Sequence, residues 1–245
     1  MIYITHDIDW LNPWHPLAIA KTATHGKKWL RLHQLKNRSV FLLGIDALLE
    51  TNAHQNVEAI WHIGASIQST FLPKGLRYQY SDADFTKVIQ KLNEAQVEIG
   101  LHSVATETIA AQAQRLKQAI QKPINYHRSH YLNYNANLLY PQLQQCGITT
   151  DFSLGHARNI NINLQNTSAN GVNIVPTILF DNMFFFHQPE FVFEQFKLAL
   201  QHAQAHQQDV AILFHPENFL INNALHEYYQ ETLKIVKESS STVNF

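Results

Sequence analysis

The sequence predicts an α/β fold, a distorted (β/α) barrel of seven to eight strands, in one domain that spans residues 1–245. Short apolar runs recur along the chain, and amphipathic stretches with apolar residues at every third and fourth position lie between many of them. Because strands and helices alternate, the pattern favours a parallel sheet covered by helices. A chain of 245 residues with 45% hydrophobic content is also long enough to bury one full core.

Eight apolar runs are the candidate strands of this fold. They span residues 2–5, 40–43, 59–63, 97–101, 124–127, 148–152, 172–178 and 210–214. The clearest helices between them are predicted at 85–92 and 109–120. A doubly wound open sheet would leave nearly the same pattern as a barrel, so closure of the sheet stays open. The segments 64–80 and 155–171 lack periodicity and are candidate substrate-covering loops.

Charge and composition exclude several classes of partner. The 18 basic and 19 acidic side chains give a formal net charge of -1, which offers no electrostatic footprint for nucleic acid or an anionic membrane. The single cysteine, Cys146, cannot form an internal disulfide. No apolar run approaches the roughly 20 residues that span a bilayer, and the first residues resemble a strand, not an export signal. We therefore expect a cytoplasmic protein, without a transmembrane segment, that acts on a small neutral or mixed-charge substrate.

Polar side chains accompany the ends of several candidate strands. They are Asp7 and Asp9 at the first run, His102 at the fourth, Arg128 and His130 at the fifth, Asp151 at the sixth and His215 at the last. In either parallel architecture the carboxyl ends of the strands face the reaction centre. The sequence therefore predicts that carboxylates, imidazoles and a guanidinium converge there.

Asp7 and Asp9 lie two residues apart on the first candidate strand. Because side chains alternate along a strand, these two point to one side and His6 points to the other. Two close carboxylates repel each other unless a cation or a proton neutralises them, so the spacing favours a bound metal or an acid/base pair that shares a proton. The structural alternative is that one of them caps the next helix or turn.

Five motifs in the order of the chain carry a resemblance to a known family. They are Thr5-His6-Asp7-Ile8-Asp9, Glu98-Ile99-Gly100-Leu101-His102-Ser103, Arg128-Ser129-His130-Tyr131, Asp151-Phe152-Ser153-Leu154-Gly155 and Leu213-Phe214-His215-Pro216. Together they resemble the motifs of the polysaccharide deacetylases, carbohydrate esterase family four of the NodB-homology type, and their variants resemble a divergent bacterial subgroup. The resemblance implies a distorted β/α barrel with one divalent metal, usually zinc.

The resemblance also implies the roles of individual residues in the reaction. Asp7 matches the family's catalytic base, and Arg128 matches the residue that orients it. His215 matches the general acid that protonates the leaving amine. Asp151 resembles the residue that adjusts the pKa of this acid in the family. A carboxylate next to an imidazole raises the imidazole's pKa.

The metal ligands implied by the resemblance are incomplete. Asp9 and His102 match the family's carboxylate ligand and first histidine ligand, but Thr106 stands where the second histidine is expected. A catalytic zinc normally has three protein ligands and a water. His130 is the preferred substitute, and His6 is a weaker one because it is expected to point outward.

The predicted function is hydrolysis of a linear amide, with removal of an N-acyl group, usually acetyl, from an amino sugar or glycan precursor. Two alternatives stay open. A deformylase or another hydrolase of small N-acyl compounds could use the same fold, because a fold does not fix the substrate. A catalytically impaired pseudoenzyme that binds a glycan is the other alternative, and the threonine at position 106 favours it.

Overall fold

A computed structural model describes residues 1–9, 40–65, 82–103, 109–132, 134–156, 160 and 165–241. The described residues form nine strands: β1 (Ile2–Ile8), β2 (Ala59–Ile63), β3 (Glu98–Ser103), β4 (Tyr126–Ser129), β5 (Thr150–Asp151), β6 (Thr167–Ala169), β7 (Val172–Ile174), β8 (Thr177–Phe180) and β9 (Val210–Phe214). They also form seven α-helices: α1 (Val40–Gln55), α2 (Asp82–Glu94), α3 (Ile109–Ile120), α4 (Ala136–Gln145), α5 (Pro189–Ala205), α6 (Pro216–Ile221) and α7 (Ala224–Ser241). Within these residues, no helix combines the length and apolar character that crossing a membrane requires.

The strands form one sheet that curls back on itself. Its order is β6-β7-β5-β4-β3-β2-β1-β9-β8, and all neighbours are parallel except β6 and β7. An isolated parallel bridge joins Gly155, after β5, to Thr177 of β8. A Cβ at position 155 would lie 2.8 Å from the Thr177 carbonyl oxygen, so this close approach requires glycine. Since β5 and β8 lie far apart in the sheet order, the bridge brings the sheet round into a distorted barrel.

The predicted α/β fold and distorted barrel are confirmed, and the bridge argues against an open sheet. The strand count is higher than predicted for two reasons. The apolar run 172–178 divides into β7 and β8 at Pro176, which has no amide proton to donate. The segment 155–171, predicted as a loop, contains β6, which pairs with β7 across a tight turn. In that turn Asn170 and Gly171 both have positive φ, 52° and 74°, as the hairpin geometry demands.

The strand predicted at residues 40–43 is wrong, because these residues begin helix α1. An apolar run of four residues fits a strand and a buried helix equally well. The next buried apolar positions, Ile45 and Leu48, are three residues apart, which is the spacing of a helix face.

Among the described residues, buried apolar side chains form a larger and a smaller cluster. The larger lies between the sheet and the helices. The smaller consists of Ile60, Phe152, Val175 and Ala211, with Tyr3 packed against it. Because side chains alternate along β1, Tyr3 lies on the same face as Asp7 and Asp9, which follow it by four and six residues. The smaller cluster is therefore an apolar floor inside the barrel, beneath the polar residues.

Candidate metal and catalytic site

The carboxyl ends of β1, β3, β4 and β9 meet on the inner face of the barrel. Six of the predicted site residues lie there, each at most 7% exposed: Asp7, Asp9, His102, Arg128, His130 and His215. His6 lies on the opposite face, where its Nδ1 donates to the Phe214 carbonyl oxygen at 3.1 Å and its Nε2 accepts from Asn52 at 3.1 Å. These contacts agree with the expected alternation along β1.

Arg128 holds Asp7 from within the barrel. Its Nη1 donates to Asp7 Oδ1 at 2.8 Å and to Thr5 Oγ1 at 2.9 Å, while Nε donates to the Phe152 carbonyl oxygen at 3.1 Å and Nη2 to Thr177 Oγ1 at 2.9 Å. Burial raises the pKa of Asp7, but the charge of Arg128, followed by that of His102, lowers it well below its ordinary value. Asp7 is therefore an ionised, buried carboxylate with a fixed orientation.

His62 is a second partner of Asp7 that the sequence did not single out. Its Nδ1 lies 3.1 Å from Asp7 Oδ1, and both side chains are fully buried. Burial, which outweighs the opposing effect of Asp7, lowers the pKa of His62 to about 4. A neutral imidazole is therefore in contact with the predicted base.

Asp9, His102 and His130, here called the metal group, place one ligand atom each within 4.8 Å of one another. His102 Nε2 lies 3.1 Å from Asp9 Oδ1, and His130 Nδ1 lies 3.4 Å from the same oxygen and 3.2 Å from His102 Nε2. In the part of the chain that the structure describes, this is the one group of at least three such side chains that could hold a metal ion. It contains the three residues predicted as ligands.

The chemistry of the metal group fits a divalent cation. One carboxylate and two imidazoles are ligands that zinc takes in catalytic sites. His102 Nδ1 donates to the Arg128 carbonyl oxygen at 2.9 Å. This hydrogen bond fixes the orientation of the ring, so that Nε2 points toward the other residues of the metal group. Burial lowers the pKa of His102, but the charges of Asp7 and Asp9 raise it above the ordinary value. The negative charge gathered here is compatible with a bound cation.

Asp181 orients His215 on the other side of the metal group. His215 Nδ1 donates to Asp181 Oδ1 at 2.7 Å, and its amide donates to Oδ2 at 2.8 Å. Asn218 Nδ2 also donates to Oδ2, at 2.9 Å. With Nδ1 engaged, His215 Nε2 lies 3.9 Å from Asp9 Oδ2. Burial lowers the pKa of His215, but Asp181 raises it to about 10, so the imidazole is held in its protonated form.

The structure corrects the assignment of Asp151 as the neighbour of His215. Asp151 Oδ1 accepts from His127 Nδ1 at 2.7 Å and from Ser153 Oγ at 2.6 Å, and Oδ2 accepts from the Tyr140 hydroxyl at 3.4 Å. Since Arg128 faces the barrel interior, the alternation of side chains turns its neighbour His127 to the helix-covered face. Asp151 pairs in register with His127 and shares that face. Asp181, in a short 3₁₀ turn after β8, stands where Asp151 was expected.

Two sequence predictions lie outside the described residues. Thr106, which replaces the family's second histidine, falls in the gap at 104–108. Most of the candidate covering loop 64–80 falls in the gap at 66–81. Both remain predictions.

No protein-family model matches the chain, and no curated protein matches it. Solved structures do match. A proposed polysaccharide deacetylase from Mycobacterium smegmatis aligns with a TM-score of 0.59 and 16% sequence identity, over 95% of this chain and 83% of that chain. The fold is that of a polysaccharide deacetylase. At this identity the likeness concerns the fold alone.

Two further matches with this deacetylase fold differ from each other in activity. A CE4 family pseudoenzyme from Bacillus anthracis aligns with a TM-score of 0.50 and 8% identity, over 99% of this chain and 61% of that chain. A mutant of that protein with restored enzymatic activity aligns with a TM-score of 0.50 and 9% identity, over 99% of this chain and 63% of that chain. Since active and inactive proteins share the fold, activity must be argued from the residues of the site.

Proposed function

We propose that this chain is a metal-dependent hydrolase of linear amides that removes an N-acyl group, principally acetyl, from an amino sugar of a carbohydrate or glycan precursor. The observation that carries the proposal is the buried metal group. It lies between a carboxylate held by an arginine, Asp7, and an imidazole held by a carboxylate, His215. The deacetylase fold supports a carbohydrate as the substrate class.

Asp9, His102 and His130 would hold one divalent cation, and zinc suits this set of one carboxylate and two imidazoles. A cation bound by them would supply Lewis acidity to the carbonyl oxygen of the amide. The chain contributes the rigidity of the ligands. His102 is fixed by its hydrogen bond to the Arg128 carbonyl oxygen, and burial keeps water from weakening the charges.

Asp7 is the proposed base. Arg128 and His62 engage its Oδ1, so Oδ2 is the oxygen that lies toward the metal group, 3.5 Å from His102 Nε2. The low pKa of Asp7 keeps the carboxylate ionised, so it can accept the proton of a water as that water attacks the acyl carbon. A new carbon–oxygen bond forms in this step.

His215 is the proposed acid. Its Nδ1 hydrogen bond to Asp181 places the transferable proton on Nε2, which lies toward Asp9. The raised pKa, about 10, keeps this proton in place at neutral pH until the carbon–nitrogen bond breaks. The amine leaves with the proton from His215, and the acyl group leaves as a carboxylic acid.

Metal content and hydrolysis of a substrate panel test the proposal. The protein is purified with zinc or cobalt and offered N-acetyl and N-formyl amino sugars and small non-sugar amides. We expect close to one metal per chain and release of acetate from the sugars. A preference for formyl groups or non-sugar amides would assign a different substrate. Protein that retains little metal and hydrolyses none of these compounds would overturn the proposal in favour of a glycan-binding protein.

His130→Ala tests the third ligand without relying on activity. We expect metal affinity, measured by competition with a chelator, to fall by about 100-fold or more, because removing a ligand exceeds the loss of roughly 10- to 100-fold from removing a group that only supports one. His206→Ala is the control, because His206 is an exposed histidine after the end of α5 and belongs to none of the motifs. Equal affinities in the two variants would show that His130 is not a ligand.

A further inference from the structure

His62 on β2 is a fully buried histidine outside all five sequence motifs. Its Nδ1 lies 3.1 Å from Asp7 Oδ1, the oxygen that also accepts from Arg128 at 2.8 Å. Two groups thus engage one oxygen of the proposed base. The other oxygen, Oδ2, is left on the side of His102. A carboxylate held this way cannot rotate without losing both contacts.

The hydrogen of this contact belongs to His62. Asp7 is paired with the Arg128 guanidinium at 2.8 Å, and a carboxylate in such an ion pair accepts hydrogen bonds only. A neutral imidazole carries a single N–H, so the short contact to Asp7 places that hydrogen on Nδ1. Among the described residues, neither ring nitrogen of His62 makes a hydrogen bond of regular geometry, so the approach of Nδ1 to Asp7 Oδ1 is a polar contact at 3.1 Å. The fold therefore keeps a buried imidazole in polar contact with Asp7.

The backbone opposite His62 makes room for its ring. His62 pairs in register with Gly100 on β3. A Cβ at position 100 would lie 2.5 Å from His62 Cδ2 and 2.9 Å from Nε2, which is closer than any real side chain allows. The ring also contacts the edge of Phe152, with ring centroids 5.6 Å apart. Glycine at 100 and the aromatic ring together fix the plane of the imidazole.

We infer that His62 is a positioning residue that, seated on Gly100, holds Asp7 so that Oδ2 faces the metal group. This inference rests on the proposed role of Asp7 as the base. His62 does not touch the reacting atoms; it acts through the carboxylate. Arg128 supplies the charge and the hydrogen bond to Asp7 Oδ1, and the His62 ring, which contacts the same oxygen, limits the rotation of the carboxylate.

Three variants at His62 and Gly100 test the inference in the metal-loaded protein. His62→Leu removes the contact of Nδ1 with Asp7 at similar volume, and we expect kcat to fall by about 10- to 100-fold with KM and metal content unchanged. His62→Asn places an amide N–H near the former Nδ1 position, so it should recover most of the lost kcat. Gly100→Ala displaces the ring without altering His62 or Asp7, and it should reproduce the loss.

His6→Leu is the matched control. His6 is equally buried but lies on the opposite face of β1, where it contacts Phe214 and Asn52. We expect it to lower thermal stability as His62→Leu does, without the fall in kcat per folded molecule. An equal fall in kcat for both leucine variants, or an unchanged kcat in His62→Leu, would overturn the positioning role.

A readout without hydrolysis separates this inference from the proposed function. Crystal structures of wild type and His62→Leu should show Asp7 rotated in the variant and held in wild type. An unrotated carboxylate in the variant would overturn the inference whatever the activity. If wild type hydrolyses no compound of the panel and Asp7 still rotates in the variant, the proposed function fails and the positioning contact stands.

Discussion

Two clusters of buried histidine and aspartate lie on opposite faces of the same part of the sheet. The inner one is the metal group. The outer one, here called the outer network, is a chain in which Ser103 Oγ lies 2.7 Å from His127 Nε2, His127 Nδ1 donates to Asp151, and the Tyr140 hydroxyl and Ser153 close the far end. The outer network has the order of a Ser-His-Asp triad, and the inner cluster does not.

The difference between the clusters lies in how their polar atoms are matched. In the outer network each donor meets an acceptor, and Tyr140 of α4 covers it, so the network links β3, β4, β5 and a helix. In the metal group a single oxygen of Asp9 faces two imidazole nitrogens that also face each other at 3.2 Å. Buried donors that each pair with an acceptor stabilise a fold, whereas ligand atoms that converge on one point are the arrangement of a metal site. Residue type alone does not separate the two cases.

The largest expected contrast is between two aspartate variants. Asp7→Asn should lower kcat by about 10²- to 10⁴-fold, the usual contribution of a positioned base, with metal content unchanged. Asp151→Asn should leave kcat per folded molecule unchanged and lower the free energy of unfolding by about 3 kcal/mol, because it breaks a buried pair. Steady-state kinetics and urea unfolding of both variants measure this. The comparison would fail if Asp151→Asn lost activity like Asp7→Asn while remaining folded.

The pH profile sharpens the comparison between Asp151 and Asp181. His215 must be protonated to act, so kcat falls as pH rises through its pKa, which Asp181 raises to about 10. Asp181→Asn removes that charge, the pKa moves down toward the ordinary value of about 6.5, and the alkaline limb of the profile shifts to lower pH. Asp151→Asn should leave this limb in place. A shift in the Asp151 variant alone would restore the original assignment.

The smallest expected effect concerns Ser103, beside His102 in β3. Ser103→Ala removes the partner of His127 Nε2, so we expect a loss of about 1 to 2 kcal/mol in the free energy of unfolding. We expect no change in kcat, since the hydroxyl lies on the helix-covered face. Loss of hydrolysis in a stable Ser103→Ala protein would show that the outer network is a reaction centre after all.

The alternation of strands and helices was enough to predict the fold and the edge of the sheet where the site lies. It was not enough to predict α1, since a four-residue apolar run has no measurable period. Asp181 was missed because the run 172–178 was taken as one strand. Its division at Pro176 adds a strand end four residues further on, at Phe180. His62 was missed because it precedes the last residue of a buried strand, where every neighbour is apolar.

The face on which Asp151 lies depends on register, which sequence spacing does not supply. A shift of one residue turns every side chain of a strand to the other face. β5 has only two residues, so there was no alternation from which to determine its direction. On β1 the opposite holds, because seven residues of strand determine the direction of Asp7 from the sequence pattern alone.

Arg128 has a place in this molecule that the site alone does not describe. Its guanidinium reaches Thr5 on β1, the carbonyl of Phe152 after β5 and Thr177 on β8, next to the bridge that closes the barrel. The side chain that holds the proposed base thus also links β1, the end of β5 and β8, where the barrel closes. A lineage that abandoned hydrolysis could exchange Asp9 or His130 at little structural cost, but Arg128 would still be under selection. Conservation of Arg128 among relatives would therefore indicate a conserved fold, and only conservation of the aspartates and histidines around it would indicate a conserved reaction.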